Sequence, residues 1–485
     1  MTVATDYTSI LYAADGQPDI AWNGITRAGA PVIVTYSFVE TADLAGWEAS
    51  TPYANDGYTT MTAAQRANFR DALALYEQAA GIIFVETTSG DAMINAMNTS
   101  GSGWGGWADT AYATDTYTGT GELVIDYSGS YDEGSYGFQI LLHELGHAMG
   151  LEHPWEGTIT LDSALDDQWH TVMTYNGSYP YIDHLGTLDV AAMQVQYGAA
   201  AATAGWVLSM TAGVLTVTGS AGGDTILGVA GMNRLNGGAG ADSLHGRQAN
   251  DTLHGGDGND ALWGNVGNDR LFGEAGNDAL WGFETEAGWG GGNDRLYGGI
   301  GRDTLTGGAN DDQLYGGQGR DLLDGRASDD ILHGGAGADS LYGGAADGSW
   351  GDQLMYGDGG TDLLSGGQGS DQLFGGALND TLDGGAGWDT LDGGDGDDVL
   401  YGGGTGATVE NFTGGAGADR FVILAADGGA QMYLTDFTRG QDKIDLSDRG
   451  VDFGDVVKSG DWLQVGTLWI NTTVTAQISA SDFVF

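Results

Sequence analysis

Apolar residues in the N-terminal part of the chain alternate between strand-like and helix-like spacing. Short runs rich in β-branched and aromatic residues predict strands at Pro31–Phe38, Ile82–Glu86 and Gly121–Asp126. Thr62–Ala80 repeats its apolar residues at helical spacing and predicts an amphipathic helix, and a second helix is expected from about Tyr136. This order predicts an α+β arrangement.

From about Gly219 to Asp419 the pattern changes to a nine-residue period. Gly237–Leu244 and Gly255–Leu262 are clear copies, in which glycines precede an aspartate and an apolar residue follows it by two positions. The glycines allow a tight turn that exposes carbonyl groups, and the aspartate adds a hard oxygen ligand. A three-residue strand with an inward central side chain follows. The period therefore predicts stacked β-turns and strands with calcium ions between the turns.

The aspartates recur in phase on both sides of an insertion around Phe283–Gly290, and a shorter insertion precedes Asp352. About twenty copies in phase argue against a flexible Gly/Asp-rich linker. Two copies, Arg247–Asp251 and Arg326–Asp330, lack the expected glycines and could leave a turn without calcium. The predicted calcium ligands are Asp242, Asp251, Asp260, Asp269, Asp278, Asp294, Asp303, Asp312, Asp321, Asp330, Asp339, Asp362, Asp371, Asp380, Asp389 and Asp398, with the turn residues Gly238, Gly240, Gly256 and Gly258.

The composition narrows the classes of partner. Fifteen basic and 67 acidic residues give a formal net charge of −52, which argues against nucleic acid and anionic membranes as partners. A hydrophobic content of 41% is too high for a solvated acidic tail, so calcium is the expected means of neutralising the carboxylates. No segment reaches the apolar length of a transmembrane helix, cysteine is absent, and the first residues do not resemble a classical signal peptide.

The segment His143–His153 carries the spacing of a catalytic zinc site. His143 and His147 are four residues apart and share one helix face, and Gly150 can end the helix so that His153 approaches as a third ligand. Three protein ligands leave an open position, as catalytic zinc requires. Glu144 lies next to the first ligand, where it can accept a proton from the metal-bound water.

Thr171–Tyr175 and Pro154 extend this motif. Together with the zinc motif they resemble the metzincin metalloproteases, and the serralysin branch in particular. The resemblance implies that Met173 forms a hydrophobic floor under the metal, and that Tyr175 is a displaceable zinc ligand that stabilises the oxyanion. The nonapeptide resembles that of RTX proteins, which implies a parallel β-roll.

The region after the repeats also resembles the serralysins. Asp419–Phe485 is similar to their C-terminal cap, with matching patches at Thr435–Phe437 and Asp442–Leu446. The ending Ser481–Phe485 is similar to an uncleaved secretion signal. The resemblance implies export by an ABC-type (type I) secretion machinery, an extracellular location, and a repeat region that folds only when calcium is available outside the cell.

We therefore expect four regions: a short leader at 1–20, a zinc metalloprotease domain at 21–205, an RTX β-roll at 206–418 and a cap with the secretion signal at 419–485. Gly101–Trp107 either flanks the edge strand to which an extended substrate adds or is a glycine-rich surface loop. The loop between His153 and Met173 predicts an apolar substrate pocket from Trp155, Leu161, Leu165 and Trp169.

The predicted function is that of a secreted zinc endopeptidase, a monomer with one catalytic zinc ion and several structural calcium ions, which cleaves protein substrates. An alternative is a calcium-dependent surface or adhesion protein with a vestigial protease domain. A third possibility is a cytoplasmic peptidase.

Overall fold

A computed structural model describes residues 2–4, 32–39, 58–87, 92, 94–99, 105–108, 121–126, 135–149, 159–161, 173, 185, 189–190, 203, 205–229, 231–283, 291–344, 351–402, 409–425, 431–472 and 477–485. The chain divides into two compact units. One unit consists of Met1–Gly237 and Leu244–Ala249, and the other of Gly238–Ser243 and Asn250–Phe485.

Among its described residues, the first unit has two long helices and a mixed sheet. The helices are α1 (Ala63–Ala79) and α2 (Tyr136–Ala148). The strands up to residue 227 are β1 (Thr2–Ala4), β2 (Val32–Phe38), β3 (Tyr58–Thr59), β4 (Ile82–Glu86), β5 (Ile94–Thr99), β6 (Gly105–Ala108), β7 (Gly121–Asp126), β8 (Ile159–Leu161), β9 (Val207–Thr211), β10 (Val214–Thr218) and β11 (Thr225–Leu227). Two further strands, β12 (Asn233–Ala239) and β13 (Ser243–Gln248), contain residues of both units.

The main sheet of the first unit has the strand order β4-β2-β5-β7-β6. β2 pairs in parallel with β4 and β5, β5 pairs in parallel with β7, and β6 pairs antiparallel with β7 at the edge. The short β3 is antiparallel to β5, and β1 pairs with β8 in a separate two-stranded sheet. The three strands predicted from the sequence are therefore confirmed as β2, β4 and β7.

Both predicted helices are confirmed, and each begins at a side-chain cap. Thr62 accepts a hydrogen bond from the Gln65 amide while the Gln65 side chain accepts one from the Thr62 amide, which satisfies two otherwise unpaired donors at the start of α1. Ser135 caps α2 by accepting from the Phe138 amide. The buried faces of α1 and α2 share one hydrophobic cluster that includes Phe69 and Leu145.

The second unit is a parallel β-solenoid. Its strands after β13 are β14 (Thr252–Asp257), β15 (Ala261–Val266), β16 (Arg270–Ala275), β17 (Ala279–Trp281), β18 (Arg295–Gly301), β19 (Thr304–Ala309), β20 (Gln313–Gly319), β21 (Leu322–Ala327), β22 (Ile331–Gly337), β23 (Ser340–Gly344), β24 (Leu354–Gly359), β25 (Leu363–Gln368), β26 (Gln372–Ala377), β27 (Thr381–Ala386), β28 (Thr390–Asp395), β29 (Val399–Tyr401), β30 (Val409–Ala416), β31 (Arg420–Val422), β32 (Gln431–Leu434), β33 (Lys443–Asp445), β34 (Val457–Ser459), β35 (Trp462–Val465), β36 (Leu468–Thr472) and β37 (Phe483–Val484).

Successive strands of the solenoid belong alternately to two sheets. β14, β16, β18 and the following even-numbered strands up to β32 pair in parallel in one sheet, and β15, β17, β19 and the following odd-numbered strands up to β33 pair in parallel in the other. In each regular turn one residue pairs with the residue 18 positions later, as Leu296 does with Leu314. The central leucines are fully buried, among them Leu271, Leu296 and Leu314 in one sheet and Leu280, Leu305 and Leu323 in the other. The predicted parallel β-roll is thus confirmed.

Seven aromatic side chains form a continuous stack along one sheet of the solenoid. Neighbouring rings have centroids 4.5–5.1 Å apart and planes within 11° of parallel. The stack runs through His254, Phe272, Tyr297, Tyr315, His333, Tyr356 and Phe374. Offset stacks of this kind add to the burial energy of the rings and keep successive turns in register.

The last strands end both sheets. β36 extends the even-numbered sheet by pairing in parallel with β32, and β35 and β34 follow it as antiparallel strands. β37 pairs in parallel with β33, and the Lys443 ammonium donates to the Ser481 carbonyl. The predicted cap therefore continues the sheets of the solenoid. Among the described residues, no helix combines the length and apolarity that crossing a membrane requires.

Glycine is required where a turn contacts the turn before it, and one substitution tests this requirement. Gly319 has φ +143°, and a Cβ there would overlap the carbonyl oxygen of Gly301. Gly466 also has positive φ, at +63°, but a Cβ there would meet no atom within 4 Å. With calcium present, we expect Gly319→Ala to lower the free energy of unfolding by about 3 kcal/mol and Gly466→Ala by about 1 kcal/mol. Thermal unfolding would measure both, and equal losses would contradict the prediction.

Candidate metal sites

The first candidate site lies on α2. His143 and His147 are one helical turn apart, and their ring centroids are 4.8 Å apart with planes at 89°. Glu144 follows His143 directly, and both side chains are 6% exposed, whereas His147 is half-buried. Two imidazoles at this spacing are a donor pair that suits zinc, and the Glu144 carboxylate lies beside the first of them.

Burial dominates the electrostatics of this site. Desolvation raises the pKa of the Glu144 carboxyl from 4.5 to about 8. Met173 is fully buried and belongs to the same hydrophobic cluster as Phe138 and Leu145 of α2. It therefore lies in the apolar part of the unit that supports the histidine helix.

The other residues of the predicted zinc site are not described. His153, Tyr175, Gly150 and Pro154 all lie outside the described residues, as do Trp155, Leu165 and Trp169 of the predicted pocket. Leu161 is the last residue of β8. α2 itself ends at Ala148, with Met149 as its C-cap. The third ligand and the tyrosine ligand thus stay predictions.

The described part of the segment Gly101–Trp107 belongs to an edge strand beside α2, and residues 101–104 lie outside the described residues. Gly105–Ala108 forms β6, which pairs only with β7 in the described part of this sheet. α2 contacts both β6 and β7. An unpaired strand edge next to the helix can accept an extended peptide as an added strand.

Tyr76 of α1 supports α2 in a way that the sequence did not indicate. Its side chain is fully buried, and its hydroxyl donates to the Leu142 carbonyl at 2.7 Å, one residue before His143. A tyrosine at a buried helix position is compatible with simple core packing, so no sequence pattern indicated that its hydroxyl has a specific partner. The hydrogen bond fixes α1 to the turn that carries the histidine.

Removal of the Tyr76 hydroxyl should lower stability measurably. We expect Tyr76→Phe to reduce the free energy of unfolding by about 1 kcal/mol, the usual net value of one buried hydrogen bond. Tyr36→Phe is the matched control, because Glu86 loses its bond from Tyr36 but keeps two from Arg70 at 2.8 and 2.9 Å. Chemical denaturation would compare the two variants. A loss for Tyr76→Phe no larger than for Tyr36→Phe would contradict the assignment.

The second candidate site is a pair of carboxylate ladders along the solenoid. In each ladder the backbone amide of one residue donates to the side chain of its counterpart in the next turn, as Asp303 does to Asp321 Oδ1 at 2.8 Å. The first ladder consists of Asp242, Asp260, Asp278, Asp303, Asp321, Asp339, Asp362, Asp380, Asp398, Asp419 and Asp442. The second ladder consists of Asp251, Asp269, Asp294, Asp312, Asp330, Gln353, Asp371, Asp389 and Glu410.

The second oxygen of most ladder aspartates is buried without a donor. Within the described part of the chain, Oδ2 lacks a hydrogen-bond partner in Asp260, Asp269, Asp278, Asp294, Asp303, Asp312, Asp321, Asp330, Asp339, Asp362, Asp371, Asp380, Asp389, Asp398 and Asp419. Buried polar atoms are normally paired. An array of buried oxygen acceptors therefore fits a hard cation such as calcium, which binds carboxylate and carbonyl oxygens.

Burial also makes the ionised form of these carboxylates unfavourable without a cation. Desolvation is the main cause that raises the pKa of Asp294 to about 9 and that of Asp312 and Asp330 to about 8, with neighbouring carboxylates adding to the shift. At neutral pH a bound cation would compensate the buried negative charge.

The structure corrects the position at which the nine-residue period was expected to resume after the second insertion. The residue in the second ladder is Gln353, and Asp352, where the sequence seemed to resume its period, is the residue before it. Glu410, Asp419 and Asp442 extend the ladders beyond the predicted residues. The four turn glycines, Gly238, Gly240, Gly256 and Gly258, all have positive φ.

The absence of glycine from two copies does not abolish their turns. Arg247 and Ala249, and likewise Arg326 and Ser328, also adopt positive φ, at 73–84°. Non-glycine residues in this region carry a steric cost of about 1–2 kcal/mol each.

A family model describes the repeats. The model for the RTX calcium-binding nonapeptide repeat (4 copies) matches residues 218–253, 245–280, 290–323, 315–347, 347–382 and 374–405. These ranges coincide with most of the solenoid. The solenoid is therefore an RTX repeat region, and binding of calcium is the property that this family shares.

Several curated proteins are similar to part of the chain. Serralysin B of Dickeya chrysanthemi is 30% identical over 221 residues, which are 40% of this chain and 45% of that protein. Serralysin C of the same organism is 29% identical over 213 residues, with 37% and 42% covered. Metallopeptidase AprA of Pseudomonas marginalis is 28% identical over 230 residues, with 41% and 45% covered. The matches thus span less than half of each relative's length.

Proposed function

From an RTX β-roll and a partial relationship to the serralysins, we propose that this protein is a calcium-stabilised zinc metalloendopeptidase. The observation that carries the proposal is the arrangement on α2. His143 and His147 face one another across one helical turn with Glu144 beside them, and the helix contacts the edge strand β6. Two imidazoles one helical turn apart, with a buried carboxylate beside the first, match the spacing of the zinc-peptidase motif.

In the proposed mechanism His143, His147 and His153 would hold the zinc ion. When bound, zinc supplies the Lewis acidity that polarises a carbonyl group and makes water a strong nucleophile. Glu144 accepts a proton from the attacking water and delivers it to the nitrogen of the leaving amine. Tyr175 would stabilise the negative charge that develops on the carbonyl oxygen, and its hydroxyl would be a further, displaceable ligand of the metal. Met173 forms the apolar floor of the site.

The peptide substrate is proposed to bind along β6. Backbone groups at a sheet edge can pair with an extended peptide independently of its side chains, which suits an endopeptidase of broad specificity. β6 lies at the end of the sheet in the described residues, and its neighbour β7 contacts α2. This arrangement would hold the peptide near Glu144.

The calcium ions are proposed to stabilise the enzyme and not to take part in catalysis. The ladder carboxylates belong to the solenoid, whereas the histidines belong to the first unit. The finer proposals follow the family resemblance. They are a leader at 1–20, a protease domain at 21–205, a roll at 206–418 and a cap at 419–485, in a monomer exported by an ABC-type secretion machinery.

Hydrolysis of casein by the full chain, supplied with zinc and calcium, tests the proposal. We expect cleavage that 1,10-phenanthroline abolishes and added zinc restores, because removal of the metal leaves Glu144 without an activated water. A second substrate, a diverse peptide library, covers the case of narrow specificity. Absence of cleavage of both substrates by the zinc-loaded protein would contradict the proposal.

The size of the solenoid favours one other candidate function. The first ladder alone contains eleven residues, from Asp242 to Asp442, which gives the roll a long and regular surface. A calcium-dependent surface or adhesion protein with a vestigial protease domain would use this surface and would not need Glu144. Calcium-dependent adhesion that survives Glu144→Ala, without proteolysis in the parent, would support this alternative.

A further inference from the structure

The regular turns of the solenoid bring buried acceptor atoms close together. In Gly298–Asp303, for example, Asp303 Oδ2 and the Gly316 carbonyl oxygen of the next turn both lie within 2.6 Å of where a Cβ on Gly298 would be. Gly273 and Asp278 repeat this geometry. A carboxylate oxygen next to a carbonyl oxygen is repulsive unless a cation lies between them.

Asn233 stands at the aspartate position of the turn that begins at Gly228. Its side chain supplies a donor, the amide nitrogen, where an aspartate would supply a second acceptor oxygen. Its Nδ2 donates to the carbonyl oxygens of Val229, Gly231 and Gly246 at 2.7–2.9 Å, and its Oδ1 accepts from the Val229 amide at 2.9 Å. Three converging carbonyls require that this atom be the nitrogen. The amide therefore satisfies the acceptors that a cation would satisfy elsewhere.

Gln353 places an amide donor in the middle of the second ladder. Its side chain is 1% exposed, its Oε1 accepts from the Asp330 amide at 3.0 Å, and its Nε2 donates to the Ser328 carbonyl at 2.8 Å. Ser328 holds the fourth place in its turn, as Gly231 does in the turn of Asn233. The Gln353 amide thus donates to a carbonyl oxygen of the turn that contains Asp330.

We infer that Gln353 replaces a calcium ion and interrupts the metal row of the second ladder. Its turn lacks a carboxylate at the ladder position, and its N–H group takes a carbonyl ligand from the preceding turn. The second ladder then binds calcium in two separate runs, Asp251–Asp312 and Asp371–Asp389. The first ladder contains aspartate throughout, so its row is continuous. This inference rests on the proposed binding of calcium by the roll.

The loss of the calcium site at Asp330 then has a different cause from the one expected from the sequence. The copy Arg326–Asp330 lacks glycines, but Arg326 and Ser328 adopt positive φ and preserve the turn. The turn therefore has a backbone able to bind calcium. It is the amide from Gln353, and not the absence of glycine, that removes the site.

The calcium content of full-length variants tests the inference. The parent, Gln353→Asp and Gln372→Asp would be equilibrated with calcium and analysed by inductively coupled plasma mass spectrometry, with circular dichroism to confirm folding. We expect Gln353→Asp to bind at least one more calcium ion per chain than the parent. Gln372→Asp is the matched control, since it makes the same chemical change at an exposed residue next to Asp371, and it should bind the same number as the parent.

Two further variants make every outcome decisive. Asn233→Asp should also gain calcium, and it replaces Gln353→Asp if that variant does not fold. Asp312→Asn should lose at least one ion, which shows that the assay resolves single sites. Unchanged content in folded Gln353→Asp, with a loss in Asp312→Asn, would overturn the inference and leave the calcium role of the roll intact. A parent without bound calcium would refute that role itself, and the inference with it.

Discussion

Removal of calcium with excess EGTA is expected to unfold the solenoid completely. The ladders bury a carboxylate in almost every turn, and in the described residues most of these carboxylates have one oxygen without a donor. Burial raises the pKa of Asp294 to about 9, so ionised Asp294 is far less favourable in the folded chain than in the unfolded chain, where its ordinary value is 3.8. At neutral pH the metal-free solenoid must either take up protons or hold buried, unpaired charges, and both oppose folding.

The hydrophobic contribution cannot compensate for this cost. In each sheet, one turn buries little more than one leucine, such as Leu296 or Leu305. The free energy gained from this burial is opposed by the conformational entropy lost when about nine residues are ordered for each strand and its turn. Far-UV circular dichroism should therefore show loss of β-structure on addition of EGTA and recovery on addition of calcium. Magnesium at the same concentration is the control, because it is smaller and requires a stricter octahedral geometry. A spectrum that EGTA leaves unchanged would disprove the prediction.

Glu144→Ala is expected to reduce peptide hydrolysis by about 10³-fold, within the range typical of a general base. The zinc content should remain that of the parent, because Glu144 is not a proposed ligand and α2 keeps its buried leucines. Glu144→Gln, which retains the size of the side chain, should lose the same activity if proton transfer is the role of the carboxylate.

Glu77→Gln provides the matched control for this prediction. Glu77 is a half-buried carboxylate of α1 that accepts from the Phe84 amide at 2.7 Å, so its replacement changes the same chemical group away from α2. We expect this variant to retain activity within a few-fold of the parent. Casein hydrolysis combined with zinc analysis measures both variants. An active Glu144→Gln enzyme would refute the proposed role.

The sequence predicted the elements wherever a local pattern determines them. The strands β2, β4 and β7 were predicted from short runs of β-branched and aromatic residues, and α1 from the helical spacing of its apolar residues. The second helix was expected from about Tyr136, where α2 begins. The solenoid was predictable for the same reason, since a nine-residue unit cannot bury its leucine without stacking on its neighbours. The histidine pair on α2 follows directly from helical geometry.

Features that depend on contacts distant in sequence were not predictable. Because of the insertion before Asp352, the nine-residue period does not show which residue continues the second ladder. The hydrogen bonds with Asp330 and Asp371 identify that residue as Gln353. Tyr76 was unnoticed because its partner, Leu142, is 66 residues away. The ladder continues to Asp442 through longer and irregular spacings, which a strict nine-residue count does not detect.

The pairing of residues 18 positions apart has a consequence for the kinetics of folding. Parallel sheets usually fold slowly because distant segments must meet before any contact stabilises them, and the rate falls as contact order rises. Here most strand pairs, such as Leu296 with Leu314, close a loop of only one turn, so the contact order stays low although the fold is almost entirely β-structure. Folding can then nucleate at one turn and propagate to its neighbours, with a rate that depends little on the number of turns.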